Sequence, residues 1–493
     1  MRPIVVSNRL PFVLERSENG KYEASPSSGG LVSALSPILR GKGGVWIGWP
    51  GVADVPNESL KGAVSNASSA AEIDFEPVQL TSQEIDGYYA GFSNEILWPL
   101  FHDMAGRCNF KPEYWSSYES VNQKFALKIH KKLKPDDYVW VHDYHLMCAG
   151  EALRGMGVKE RLGFFLHIPF PSPDIFIQLP WGFNILKALL SYNLIGLQTL
   201  RDQRNFIQCV CRHMTDTRVE GSGQIITLLF DDREVRVGAL PIGIDYHFFA
   251  ESAGRREVEE RAWYIHEQQS GRQLVLGIDR LDYTKGIPER LKAYRYALDA
   301  HPELRGRIVL VQVVVPSRRD IPEYEDLKRE IERLVGKING EFGLSDWTPI
   351  QYFFRTLSNE ELLAYYRTSE IALITPLKDG MNLIAKEFCA ASLERNSVLI
   401  LAESAGAADQ LHVGALMVNP NDQKGIAEAI YRAFKMPFAE RTERMDRLRK
   451  IVRQTDVHWW VDSFLKASFA DSIDYFNKVA DYRPQIDLDK RQS

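Results

Sequence analysis

Cations placed directly after short apolar runs are the residues in this sequence with the most chemistry to offer. Arg9 closes Ser7-Asn8-Arg9, just past the apolar run Pro3–Val6. A guanidinium at the end of a buried strand can meet an anion, because its planar fork matches phosphate. A surface ion pair is the competing reading. Farther along, Arg280 and Lys285 lie on one loop after the run Leu274–Ile278. Against a diphosphate each supplies on the order of 4 kcal/mol at ~4 Å and an effective dielectric of ~20, before desolvation. Arg318 and Arg319 follow Ile308–Val315 and add anion-binding capacity. Adjacent side chains point different ways, so one of the two is expected to face the ligand.

Groups suited to hydroxyls accompany these cations. Thr375 to Glu387 is a proline-bounded loop entering a helix. The first amides of a helix lack partners and can hold a sugar or phosphate oxygen. Asp379 can accept from sugar hydroxyls or cap the helix. Glu387, two turns in, can accept from a ribose. Gly29 and Gly30 precede another helix-like run and permit close backbone approach, though a plain turn explains them as well. No Walker lysine follows them and no G-x-G-x-x-G occurs, which argues against a nucleoside-triphosphate hydrolase or a dehydrogenase. Asp143 ends the run Tyr138–Val141 and His167 sits near the end of Leu162–Ile168. A polar group closing an apolar strand favours a site over a core position. His142, Asp143 and His145 could form a metal site, but no third His or Cys stands at structural-zinc spacing. Trp46, Trp49, Tyr88, Tyr89 and Trp98 lie in the same half; most such rings are core, and a few beside Arg9 would suit a sugar ring.

Elements must bring these groups together. Short β-branched runs recur, each followed by a helical pattern: Pro3–Val6, Tyr138–Val141, Leu162–Ile168 and Leu194–Leu197, then Leu274–Ile278, Ile308–Val315, Ile350–Phe354, Ile371–Ile374, Val398–Leu401 and Ala415–Val418. Runs this short and apolar fit parallel strands buried on both faces. Between two of them, Tyr324, Leu327, Ile331, Leu334 and Ile338 share a helix face, with Glu325 and Arg329 an i,i+4 pair. The alternation predicts an α/β fold of two Rossmann-like, doubly wound domains facing a central cleft. Ile225–Phe230 and Glu234–Val237 read as a hairpin, and the boundary is placed near residue 243. The domains expected are 1–243 and 244–455, with an amphipathic helix within 456–485 (Val457, Trp460, Val461, Phe464, Leu465) packing back on the first.

The 493 residues are too many for one ordinary core. The 60 basic against 65 acidic residues leave a net charge of −5, a poor field for nucleic acid. No run approaches the roughly 18 apolar residues of a membrane span. Arg2, Asn8 and Arg9 interrupt any signal-peptide core, and Cys108, Cys148, Cys209, Cys211 and Cys389 make no disulfide framework. A cytoplasmic chain is expected, with small-molecule substrates, no nucleic-acid or membrane partner, and self-association into a homo-oligomer. An anion-rich cleft with hydroxyl-binding carboxylates, and no metal, hydride-cofactor or covalent-nucleophile signature, points to group transfer from a nucleotide-activated donor to a phosphorylated hydroxyl compound.

Nine strings together resemble the trehalose-6-phosphate synthases, which are retaining glucosyltransferases of the GT-B fold. They are SNRLP (7–11), SSGGL (27–31), YYAGFSNEILWPLFH (88–102), VWVHDYHL (139–146), FFLHIPFPSPDIF (164–176), LGIDRLDYTKGIPER (276–290), VVVPSRRD (313–320), KINGEFG (337–343) and TPLKDGMNLIAKE (375–387). The resemblance implies a first domain for the acceptor, glucose 6-phosphate, and a second for the nucleotide-glucose. It places Arg280 and Lys285 on the donor diphosphate and Gly29 and Gly30 close to the donor. Asp379, with Gly380, Met381 and Asn382, would hold the glucose hydroxyls. Leu383, Ile384, Ala385, Lys386 and Glu387 would flank the nucleoside, and Leu357 the base. Arg9 and Arg318 would take the acceptor phosphate, with Tyr89, Trp98, Asp143 and, more weakly, Trp49 as further acceptor contacts. His167 would lie beside the bond being made. Arg319 stands where such enzymes often have Gly, which bears on the acceptor. The implied reaction is front-face transfer with retention, needing no cofactor beyond the nucleotide-sugar, of which UDP-glucose is expected over GDP- and ADP-glucose. Domain closure is expected about a hinge near Pro241–Ile244. A relative using glycerol 3-phosphate or a pseudo-sugar, and a non-catalytic sugar-phosphate sensor, are the alternatives. No D-x-D-x-T phosphatase motif follows the last helix.

Overall fold

The structure is a computed structural model and describes residues 2–16, 22–26, 32, 35–36, 39–40, 43–269, 271–317, 322–470 and 481–483. The chain divides into two compact units. One comprises Met1–Ile242 and His458–Val479; the other comprises Gly243–Val457 and Ala480–Ser493. Among the described residues no helix is long and apolar enough to cross a membrane, and all five cysteines are free thiols.

The first unit is built on strands β1 (Pro3–Arg9), β2 (Phe12–Arg16), β3 (Tyr22–Pro26), β4 (Val45–Trp49), β5 (Asp74–Pro77), β6 (Tyr138–His142), β7 (Leu162–Phe165), β8 (Leu194–Leu197), β9 (Arg218–Glu220), β10 (Ile225–Phe230) and β11 (Arg233–Ala239). Its sheet runs β5-β4-β1-β6-β7-β8-β11-β10-β9. β5 through β11 in that order are parallel, and β10 and β9 are antiparallel additions. β2 and β3 form a separate hairpin. From β1 the chain goes to β4 and β5 on one side, then returns to β6 on the other. The strand order therefore reverses between β1 and β6, and ligands of such sheets bind at the carboxyl ends beside that reversal.

The expected hairpin is present, and it is an extension of the sheet: β11 pairs in parallel with β8. Its two-residue turn, Asp231-Asp232, has φ of 44° and 57°, the twist that suits right-handed strands. The expected strand Leu162–Ile168 stops at Phe165. Beyond it Pro169 and Pro171 have no N–H to give a ladder, so His167 lies in the loop. The helix Val457–Phe469 lays Phe464 against Trp140, ring centroids 4.2 Å apart and planes nearly parallel. β7 and β8 make room for it with glycine. A Cβ on Gly163 would come within 2.9 Å of the Phe464 ring, and one on Gly196 within 2.8 Å.

The second unit contains β12 (Gln273–Arg280), β13 (Ile308–Val315), β14 (Ile350–Phe354), β15 (Ile371–Ile374), β16 (Val398–Ala402) and β17 (Leu416–Val418). All are parallel, in the order β14-β13-β12-β15-β16-β17. This is the strand order of a dinucleotide-binding Rossmann sheet, reversing between β12 and β15. Helix Pro322–Phe342 buries Tyr324, Ile331, Leu334 and Ile338. Arg329 pairs with Asp326 instead of Glu325, because a residue three positions away is also a helix neighbour.

Candidate active site

In the first unit the groups of interest collect at the carboxyl ends of β1, β4, β6 and β7. Arg9 ends β1, and its guanidinium lies 4.2 Å from the Trp49 ring centroid and 5.5 Å from that of Tyr89. Behind it, Gly51 at φ +91° leaves a space that a Cβ would close to 2.6 Å from an Arg9 nitrogen. Arg9 has no carboxylate within ion-pair distance among the described residues, so its charge is held by π faces. Tyr89 sits on a wide π-helix, Ile85–Leu97, the rare type that gathers at functional sites. Its ring stacks on His145 at 5.9 Å, and His145 lies 3.9 Å from Tyr144 by ring centroids and 3.9 Å from Asp143 by Nδ1 and Oδ2.

Asp143 follows β6 at φ 76° and ψ 165°, a backbone region essentially reserved for glycine. The conformation is held from both ends: its amide donates to Phe165 at 2.7 Å, and its Oδ1 accepts from the His167 amide at 3.2 Å. The His167 ring meets His142, Nε2 to Nδ1, at 3.2 Å. Although His167 retains some exposed surface, heavy atoms crowd its imidazole, and burial pulls it down to about 3. Burial, then the neighbouring His167, also hold His142 well below its ordinary value. Both rings are therefore neutral near pH 7 and offer hydrogen bonds, not charge.

His142 turns to His167 while His145 turns to Asp143, so they do not converge as metal ligands. Among the described residues no group of three or more His, Cys, Asp or Glu is arranged to hold a metal ion. Trp49 is 3% exposed and spends its indole N–H on the Val52 carbonyl at 3.0 Å. Its ring is a platform for the Arg9 guanidinium. Trp98 is also buried, against His102 and Tyr144. Gly29, Gly30, Arg318 and Arg319 lie outside the described residues.

In the second unit the groups follow β12 and β15. Arg280 ends β12, exposed. Lys285 sits on a short turn capped by Asp282, whose Oδ1 accepts from the Thr284 amide at 2.9 Å. Gly286 must be glycine at φ +62°, since a Cβ would stand 2.7 Å from the Thr375 carbonyl. The Lys285 ammonium reaches Asp379 at 2.6 Å, and Asn382 Nδ2 reaches the same oxygen at 3.1 Å. The sequence reading gave Lys285 and Asp379 separate ligands, but here they hold each other. Asn382, left-handed at φ 79°, caps helix Leu383–Ala391 through the Ala385 amide at 3.1 Å. The loop 379–382 is fixed by the 404–407 turn: Gly406 donates to Asp379 at 3.1 Å and Ala407 to Met381 at 2.7 Å. The amides of Gly380, Met381, Leu383 and Ile384 have no acceptor among the described residues. They form an open donor set at a helix N-terminus.

Glu387 accepts from the Tyr366 hydroxyl at 2.8 Å, and burial, partly offset by that bond, raises it to about 7. Lys386 is fully buried and is pulled by burial to about 7. Its side chain and that of Ala385 point into the core, so only their backbone can serve a ligand. Leu357 is half-buried in the segment after β14. Sequence reasoning missed the support beneath this site. Arg290, fully buried, bonds Asp279 at 2.6 Å, Thr375 at 3.1 Å and Gln312 at 3.3 Å, tying the ends of β12 and β15 to β13. Its only sequence signal was a charge inside the apolar face of helix Ile287–Ala300.

The family model Glycosyltransferase family 20 matches residues 1–468. The chain is 41% identical over 461 residues to alpha,alpha-trehalose-phosphate synthase (UDP-forming) A of Dictyostelium discoideum, covering 93% of this chain and 61% of that protein. It therefore spans less than two thirds of that relative's length. It is 40% identical over 467 residues to alpha,alpha-trehalose-phosphate synthase (UDP-forming) of Candida albicans, covering 94% and 96%. Among solved structures it resembles an alpha,alpha-trehalose-phosphate synthase (UDP-forming) from Burkholderia xenovorans in complex with glucose-6-phosphate. The TM-score is 0.84 and the identity 34%, over 95% of this chain and 100% of that one. With two Rossmann-like units and a family match over nearly its whole length, this chain is a GT-B protein and belongs to glycosyltransferase family 20.

Proposed function

We propose that the protein transfers glucose from UDP-glucose to glucose 6-phosphate with retention, giving α,α-trehalose 6-phosphate and UDP. The observation that carries this reading is the near full-length match to UDP-forming synthases, in a chain with anion-binding groups at both strand-order reversals. Arg9 takes the acceptor phosphate, aided by Arg318, with Tyr89 and Asp143 beside the sugar. Arg280 and Lys285 take the donor diphosphate. Arrival of that diphosphate lets Lys285 exchange a carboxylate oxygen for a phosphate oxygen. Asp379 is then released to accept from glucose hydroxyls, with Asn382 still steadying it. The open amides from Gly380 to Ile384 receive sugar and phosphate oxygens, and Glu387 the ribose.

The acceptor's anomeric hydroxyl attacks the donor's anomeric carbon on the face the diphosphate leaves. The C–O bond to the diphosphate breaks as the new one forms, and the departing phosphate oxygen takes the proton. Neutral His167 donates or accepts a hydrogen bond near that carbon without adding charge. Catalysis then rests on positioning and on stabilising the leaving group. The reading needs no cofactor beyond the nucleotide-sugar, and it includes a cytoplasmic setting and a homo-oligomer, the latter measurable by light scattering. The test is incubation with glucose 6-phosphate and UDP-, GDP- or ADP-glucose. A phosphorylated, non-reducing disaccharide from UDP-glucose is expected. Product only with glycerol 3-phosphate, or with no acceptor and donor pair at all, would overturn the assignment.

A further inference from the structure

A cavity lies in the unit 243–457, away from the groups above. It has a volume of about 340 Å³ and is bordered by Trp263, His266, Arg367, Thr368, Glu370 and Asn396, among others. Glu370 immediately precedes β15 and Ser397 precedes β16, so the cavity opens at the amino ends of these strands. The loop from Thr375 follows the carboxyl end of β15. At ~3.3 Å per residue, that strand separates the two places by about 13 Å.

Its one arginine is already engaged. Arg367 donates to Glu394 at 2.8 Å, lies 3.4 Å from Glu259 and gives a further N–H to the Ala253 carbonyl at 3.1 Å. Glu370 accepts from the Leu274 amide at 2.8 Å and lies 3.9 Å from His266. Three carboxylates, Glu259, Glu370 and Glu394, face one arginine in the lining, so it has no spare cation for a phosphate, while carboxylate oxygens remain to accept from hydroxyls. Beside them stand the Thr368 hydroxyl and the Asn396 side-chain amide, which have no partner among the described residues, and an indole. Trp263 borders the cavity and is 63% exposed, so its indole is accessible to a ligand. An amphipathic ring next to unpaired hydroxyl and amide groups suits a ligand with an apolar C–H face and hydroxyl edges. The volume falls in the range of small-ligand sites.

We propose that this cavity binds an uncharged sugar of one or two rings, stacked on Trp263 and hydrogen-bonded by Thr368 and Asn396. The proposal does not depend on the reaction assigned above. Saturation-transfer NMR on the full chain tests it, using methyl α-D-glucoside and maltose with UDP and glucose 6-phosphate both saturating. Signal should persist under that block. Trp263→Ala and Asn396→Ala should each weaken binding at least tenfold, with transferase turnover in the absence of added sugar unchanged. Glucose 1-phosphate and tetramethylammonium should bind at least tenfold more weakly than the neutral sugar. Loss of all signal under the block, undiminished binding by Trp263→Ala, or preference for either charged probe would overturn it. So would sedimentation showing that Trp263→Ala dissociates an oligomer, because a second copy would then cover the ring. Sugar binding in a chain without transferase activity would sink the assigned reaction and leave this site standing.

Discussion

Lys285 and Asp379 engage one another across 94 residues of chain, and on the proposed reading their exchange for substrate oxygens is the central event. Arg280→Ala and Lys285→Ala should each lower kcat by about a hundredfold or more, measured as UDP release. Glu387 adds a pH dependence. Its folded value near 7 lies above the ordinary 4.5 of an unfolded glutamate. The folded chain keeps that proton while the unfolded chain has lost it, so this group's contribution to stability fades as pH rises from 4.5 through 7. On the proposed reading ribose hydroxyls donate to the ionised form, so the KM for UDP-glucose should fall between pH 6 and 8, and Glu387→Gln should flatten the profile. Asp143 is tested by a pair of variants. Both Asp143→Gly and Asp143→Ala delete the carboxylate, but only glycine relaxes at φ 76°. The glycine variant should be the more stable by about 1–3 kcal/mol in urea unfolding. The placement of Arg9, Arg280, Lys285, Asp143 and His167 was legible because each closes or follows an apolar strand. The Lys285–Asp379 bond and the buried Arg290 were not, since they come from strands adjacent in space and distant in sequence.

The long apolar strands β12 and β13 were legible, as were the doubly wound alternation and the hairpin near residue 230. β4 and β5 escaped notice because Val45–Trp49 interleaves two tryptophans with glycine and Asp74–Pro77 carries two acids and a proline; neither is a β-branched run. The π-helix was invisible for a different reason: i→i+5 bonding has no periodicity distinct enough from 3.6 over 13 residues. The last helix shows what a recognised amphipathic pattern still conceals. Trp460, with no exposed surface, meets Trp140 at 5.1 Å and Phe165 at 4.9 Å, while the seat of Phe464 on the same helix depends on glycines in two strands. Trp460→Ala should cost about 3–5 kcal/mol, read from urea unfolding of the full chain.

Two units, each with its own sheet and core, should not melt as one two-state body. Calorimetry should resolve more than one transition, and UDP and glucose 6-phosphate should act on different ones. UDP at a hundred times its Kd adds about 2.7 kcal/mol to the unit that binds it. Hydrogen exchange should slow at 280–286 and 375–387 with UDP, and at 9 and 143–145 with glucose 6-phosphate. Slowing of the same peptides by both ligands would contradict the assignment of substrates to units. The Phe464 socket between Gly163 and Gly196 has a consequence for biosynthesis. The ribosome makes this socket early and its plug some 260 residues later, which at about 5–20 residues per second is a delay of tens of seconds at the slower rates. Until the plug emerges, Trp140 and its neighbours lie bare on a nascent chain, a target for chaperones that a circularly permuted gene encoding the last helix first would remove.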